Sequence, residues 1–165
     1  MEAIYEQLNA HFPEYELAYT PSESGLSYLE VPPAYLHEVC FFLHTNPQYY
    51  FDHLACLTAL DERAAHQRFE LVYNLYSIPN DLKLNLRVCV PESDAPQVPS
   101  VADIWRAADW HEREAYDLMG IHFTNHPDLR RILLPEDWEG HPLRKDYSEQ
   151  EKYHGITVRY DRDDT

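Results

Sequence analysis

The sequence holds four glycines and three cysteines in 165 residues, and each shortage removes a class of function. With so few glycines there is no Gly-rich loop to cradle a phosphate, and no GxSxG elbow presents a nucleophilic serine. Cys40, Cys56 and Cys89 are odd in number, far apart and set in apolar runs. They offer neither a disulfide framework nor a CxxC metal knuckle, and an iron–sulfur cluster generally needs about four thiolates. Buried thiols in a reducing compartment are the expectation.

Cations are scarce as well. The net charge is -16, from 29 acidic and 13 basic residues, and residues 1–62 contain no Lys or Arg. Such a chain repels nucleic acid and anionic lipid, so a basic protein surface is the expected kind of partner. The basic residues gather late: only Arg63, Arg68, Lys83 and Arg87 precede Arg106. No apolar run approaches the roughly 18 residues of a membrane span, and MEAIYEQLNAHF lacks the basic and apolar regions of a signal peptide. A cytoplasmic, non-spanning chain is expected.

What is present suits one folded core with an appendage. Hydrophobic residues make up 44% and charged residues 25%, ordinary values that argue against wholesale disorder. Ile4, Leu8 and Phe12 form one stripe of a short helix that Pro13 stops. Tyr15, Leu17 and Tyr19 alternate in YELAYT, which with LSYLEV flanks the turn-rich PSESG as a hairpin. After Pro32-Pro33, the residues Leu36, Val39, Cys40 and Leu43 fall on one helical face. HLACLTAL, FELVYNLYSI and LKLNLRVCV then read as strands, the last alternating Leu82, Leu84, Leu86, Val88 and Val90 with Lys83, Asn85, Arg87 and Cys89. Pro79-Asn80-Asp81 supplies turn chemistry between the last two.

The fold class expected is therefore α+β. Residues 1–90 form a two-layer sandwich of mostly antiparallel sheet with helices on one face. A Pro-rich connector covers 91–100, a helix covers 101–120, and an extended partner-binding arm covers 121–165. Ser100 reads as the helix cap with Asp103 three residues on, and Asp109, Arg113 and Asp117 read as i,i+4 ion pairs. Beyond Ile121 neither period persists, yet Phe123, Trp138, Tyr147 and Ile132-Leu133-Leu134 are too apolar for a linker.

Most information lies in residues 111–147, HEREAYDLMGIHFTNHPDLRRILLPEDWEGHPLRKDY. His111-Glu112 begins like a zinc-protease motif, but the fifth position is Ala115, so the i,i+4 histidine pair that would grip a metal is missing. His66, His122, His126, His141 and His154 leave a loop site open, with His122 and His126 as its pair. Scattered histidines more commonly serve as hydrogen-bonding groups at polar surfaces. The carboxylate pairs Glu112 with Glu114 and Glu136 with Asp137 suit ion pairing in so acidic a chain. Interface use explains more of the window: Arg130, Arg131, Arg144, Trp138 and Tyr147 are the side chains that anchor contacts. The competing reading is that the arm packs on its own sandwich.

The window also resembles a known family, the 30-kDa or C subunit of respiratory complex I, related to a component of membrane-bound hydrogenases. The family's motif runs ERE, two residues, an acid, two apolar residues, six residues, His, three residues, a base, one residue and two apolar residues. Here these are Glu112-Arg113-Glu114, Asp117, Leu118-Met119, His126, Arg130 and Ile132-Leu133, and LLPEDWEGHPLRKDY continues the likeness. The resemblance implies a peripheral-arm subunit of proton-translocating NADH:quinone oxidoreductase with no active site, metal or cofactor of its own. FMN and iron–sulfur clusters would sit in partner subunits, and the chief partner would be the quinone-site D subunit. The chain would reach the cytoplasmic face of the inner membrane, or the matrix side in an organelle, only through partners. It implies a contact surface made of Glu112, Arg113, Glu114, Asp117, His126, Arg130, Arg131, Trp138, His141, Arg144, Lys145 and Tyr147. The alternatives are the equivalent subunit of a hydrogenase-type or ferredoxin-driven complex, and a free-standing His-ligated metallo-enzyme.

Overall fold

The computed structural model describes residues 2–22 and 26–158. Residues 23–25 of the expected PSESG turn and residues 159–165 of the expected arm lie outside these. The elements run α1 (Glu2–His11), β1 (Ala18–Thr20), β2 (Tyr28–Glu30), a 3-10 turn (Pro33–Tyr35), α2 (Leu36–Thr45), β3 (His53–Asp61) and α3 (Arg63–His66). There follow β4 (Arg68–Ser77), β5 (Leu82–Pro91), β6 (Gln97–Pro99), α4 (Arg106–Met119), β7 (His122–Thr124), β8 (Lys152–Tyr153) and β9 (Ile156–Thr157).

The strict alternation in LKLNLRVCV becomes β5, and the turn at 79–81 folds it back on β4 in a full register from Ser77↔Leu82 to Arg68↔Pro91. Asp81 takes the positive φ of 50° that the turn needs, a conformation Asp tolerates because its short side chain bonds locally. The register sets Leu71, Tyr73 and Leu75 opposite Val88, Leu86 and Leu84, so one face is continuously apolar and buried. The five strands lie in the order β1-β2-β5-β4-β3, antiparallel except where β2 runs parallel to β5 through Leu29↔Leu86. Ile4 and Leu8 of α1 and Leu36, Val39, Cys40 and Leu43 of α2 cover the apolar face. The opposite face is polar, with Glu30 bonded to Arg87 at 2.7 Å and Asn74 to Asn85 at 2.8 Å. The fold is the expected α+β sandwich, mostly antiparallel with helices on one face.

Several local expectations are corrected. Tyr15 lies before β1 and not in it, because its ring is stacked between Phe12 and Tyr35 with centroids at 4.6 and 3.9 Å. The 91–100 stretch is more than a connector: β6 pairs in parallel with β7, Val98 against Phe123, and both side chains enter the core. The helix expected at 101–120 starts at Arg106, with Trp105 as its extended N-cap. The chain breaks there to bury the Trp105 indole, whose Nε1–H donates to the Phe51 carbonyl at 2.9 Å. Nor does α4 stand apart from the sandwich: Ala108, Ala115 and Met119 join the same core.

Candidate functional site

The motif residues on α4 face inward. Glu112 is fully enclosed and reaches back to the segment before the helix, accepting Ser100 Oγ–H at 2.6 Å and Val101 N–H at 2.8 Å. Ser100 is thus the anchor of Glu112 and not the cap of α4. Loss of solvent pushes the Glu112 carboxyl up to about 7, although the bonds from Ser100 and Val101 favour its ionised form. His126 approaches from the arm, its Nε2 3.9 Å from Glu112 and 3.4 Å from Asp109. A backbone N–H can only donate, so the Asp128 N–H at 3.0 Å makes Nδ1 an acceptor. Nε2 then carries the proton toward the Asp109 carbonyl at 3.2 Å.

One turn on, Asp117 is fully buried and accepts three consecutive backbone N–H groups, from Ile132 at 3.0 Å, Leu133 at 2.8 Å and Leu134 at 2.9 Å. Its other oxygen takes Arg131 at 2.8 Å. Burial alone would raise this carboxyl, but the N–H groups of Leu134 and Leu133, with Arg131 and Ile132, outweigh it and hold Asp117 below the ordinary range. The run ILL, without periodicity in the sequence, is a concave nest of amides around one anion.

The last turn of α4 carries no basic residue, so its unpaired carbonyls and negative dipole end need outside donors. The arm supplies them. Arg131 and His141 bond the Asp117 carbonyl at 3.3 and 2.9 Å, Leu143 N–H the Leu118 carbonyl at 3.0 Å, and Arg144 Nε the Met119 carbonyl at 2.7 Å. Burial lowers the affinity of His141 and Arg144 for their protons. Gly120 closes the helix at φ 70°, and a Cβ there would fall 2.5 Å from His141 and Arg144; only glycine lets the arm sit this close.

The twelve motif residues therefore divide. Asp117, Arg131, His141 and Arg144 hold the chain's own arm on α4, while Glu112 ties α4 to Ser100 and Val101 with His126 packed beside it. Arg113 joins the inner set: its Nε donates to the Arg130 carbonyl at 3.3 Å and its guanidinium covers Trp110. The ion pairs expected between Arg113 and Asp109 or Asp117 do not form among the described residues. Trp138 Nε1 donates to the Tyr147 hydroxyl at 3.1 Å. Glu114 and Lys145 are exposed, and Arg130 has 71% of its side chain in solvent beside Asp128. The arm packs on its own sandwich through Arg131, His141, Arg144 and Lys145, while Arg130 and Leu133 face solvent.

One contributor, Arg63, had no signal in the sequence. Arg63 bridges Asp61 at 2.8 Å and Asp146 at 2.6 Å, and with Arg144 it lies against the Phe69 ring. Its partner Asp146 lies 83 positions further along the chain, a separation no local pattern reveals. Among the described residues no three His, Cys, Asp or Glu side chains converge to hold a metal ion, and His122 is exposed while His126 faces inward. The three cysteines are free. No described helix is long and apolar enough to cross a membrane.

A family model described as "Respiratory-chain NADH dehydrogenase, 30 Kd subunit" matches residues 29–153. The NADH-quinone oxidoreductase C subunit of Chloroherpeton thalassium is 50% identical over 123 residues, 74% of this chain and 50% of that protein. The C subunit of Chlorobium phaeobacteroides is 48% identical over 126 residues, 74% of each. The chain thus spans half the length of the first relative and about three quarters of the second. The solved trypsin-resistant fragment of Nqo5 is 30% identical with a TM-score of 0.62, over 75% of this chain and 98% of that one. A chain of the membrane-bound sulfane sulfur reductase, an archaeal respiratory membrane complex, shares the fold at 24% identity and a TM-score of 0.75, over 99% of this chain and 96% of that one.

Proposed function

The chain belongs to the family of the 30 Kd subunit of respiratory-chain NADH dehydrogenase, and from that premise we propose that it is a non-catalytic peripheral-arm subunit of NADH:quinone oxidoreductase. It supports electron flow from NADH to quinone by assembling beside the quinone-site D subunit. FMN and iron–sulfur clusters reside in its partners, and the site of assembly is the cytoplasmic face of the inner membrane, or the matrix side in an organelle.

The observation that carries this reading is the use made of the family motif. Its conspicuous carboxylates are spent on the chain's own architecture: Glu112 on Ser100 and Val101, and Asp117 on three amides and an arginine. Groups so saturated serve to set a surface in place, and what they set outward beside the exposed Leu133 is Arg130 and Trp110, side chains of the type that dominates binding energy. The alternative of a hydrogenase-type or ferredoxin-driven complex is not favoured, since the relatives at 48–50% identity carry the NADH-quinone name.

The test is native mass spectrometry of the membrane assembly pulled down through the whole chain, with metal analysis of the chain alone. Co-purification with NADH-binding and quinone-site subunits is expected, with no iron or zinc on the separated chain after chelator dialysis. Recovery with hydrogenase subunits, or near-stoichiometric metal on the chain, would overturn the reading.

A further inference from the structure

β3 terminates the five-stranded sheet and is a long edge, nine residues, against three in β1 at the other side. Its inner side pairs with β4 through Asp61↔Phe69, with a bulge confined to Leu54/Cys56. Among the described residues, no backbone group of residues 56–60 bonds outward. Thr58 is exposed, and so is Leu60, at 41%. Such an edge is a template for another strand, and proteins usually blunt it with Lys, Pro or a covering element. β3 contains neither residue. α4 lies against the cleft side of β3, and the arm reaches the strand at Leu143 in the cleft wall and at its end, where Lys145 N–H meets Asp61.

Under this edge, between β3 and α4, lies a cleft of about 220 Å³ lined by Leu57, Ala59, Ala115, Leu118 and Leu143, with Glu114 in its wall. A cavity of roughly 150 Å³ accepts a benzene-sized guest, so the cleft takes one Leu- or Phe-sized side chain. No Lys or Arg lines it, and residues 1–62 hold none.

We propose that the β3 edge is the docking site for an extended segment of a different polypeptide. The segment adds a strand beside β3, places one aliphatic or aromatic side chain in the cleft, and carries a Lys or Arg that meets Glu114. Main-chain pairing supplies affinity in such strand addition, and alternate side chains supply specificity. Charge selects the occupant. A second copy would bring another Glu114 and another net charge of -16 to a cleft that no Lys or Arg lines, whereas a basic segment is attracted. That the polypeptide is another subunit rests on the function proposed above.

The experiment is amide hydrogen exchange over residues 56–60, in the isolated whole chain and in the assembly purified through it. Alternate amides of an edge strand point outward, so these exchange fast in the isolated chain and should slow roughly a hundredfold in the assembly. Glu114→Lys, at an exposed position, should melt like the wild type and lower recovery of the assembly about tenfold, with Glu114→Gln in between. A chain recovered in the assembly with residues 56–60 still fast overturns the docking site and leaves the proposed function standing. A chain found in no larger particle, its edge fast throughout, overturns both. Wild-type recovery with Glu114→Lys overturns the basic segment.

Discussion

The carboxylate of Asp61, the last residue of β3, accepts the backbone N–H of Lys145 at 2.9 Å, a bond that fastens the arm to the sheet. The same carboxylate holds Arg63, and that hydrogen bond, with those from the Lys145 and Arg63 amides, keeps Asp61 well below the usual carboxylate range. Asp61→Asn leaves Arg63 without its buried counter-charge, and a loss of about 2–4 kcal/mol is expected in denaturant unfolding. A depressed pKa contributes stability above the unfolded value of about 3.9 and loses it as pH falls through the folded value. The wild-type advantage over Asp61→Asn should therefore be full at pH 6 and shrink below about pH 4.

Asp117→Ala empties the amide nest and strands Arg131, whose side chain is only 17% exposed. A loss of about 3–5 kcal/mol is expected, the cost of breaking a buried pair. Because residues 132–134 are bonded in the wild type, their amides should exchange slowly in the isolated chain. Cleavage by trypsin at Arg130-Arg131 should be slow in the wild type and fast in Asp117→Ala. Fast exchange of the wild-type amides would show that the nest does not persist in solution.

Arg130 and Arg131 are neighbours with opposite roles, so their reversals should separate. Arg131→Glu places a carboxylate against Asp117 and against the carbonyls of Trp138 and Gly140, and should lower the melting temperature of the isolated chain. Arg130→Glu changes an exposed side chain, so its stability should move by no more than about 0.5 kcal/mol while assembly into the complex falls. An Arg130→Glu chain that assembles normally would remove Arg130 from the contact surface.

Glu112 carries a pH dependence of the opposite sign. Its carboxyl is raised to about 7 by burial, so the folded state binds more protons than the unfolded state between about pH 4.3 and 7. Stability should decline across that window and level off above it. At about 1.4 kcal/mol per unit, the effect is roughly 4 kcal/mol at most. Glu112→Gln should flatten the decline, since an amide can still accept from Val101 and donate to Ser100. Equal slopes for the two proteins between pH 5 and 8 would refute this assignment.

The sheet and α2 were legible because burial on one face writes a period into the chain: Leu82 to Val90 for β5, Leu36 to Leu43 for α2. β6 and β7 were not, since three residues are too short for a period and Gln97 pairs with His122 across an intervening helix. The start of α4 was misread because Ser100 has capping chemistry, yet its hydroxyl is engaged by a glutamate twelve positions on. The arm's attachment was invisible for a further reason. Asp117 is held largely by backbone N–H groups, and Arg131, His141 and Arg144 bond backbone carbonyls of α4; every sequence possesses such backbone groups.

The parallel pairing of β2 with β5 bears on how the chain reaches this structure. β3, β4 and β5 form a meander of neighbours joined by short links, so their pairing closes small loops and can begin early. β2 must wait: its partner strand is made more than fifty residues after it, and a long loop closes for only two paired residues. During synthesis the first helix and hairpin emerge with no sheet to join, and they are expected to dock only once β5 is in place. Substitutions that weaken the β4–β5 turn should slow refolding, whereas those in β2 should chiefly speed unfolding. Stopped-flow measurement of both limbs distinguishes the two orders of events.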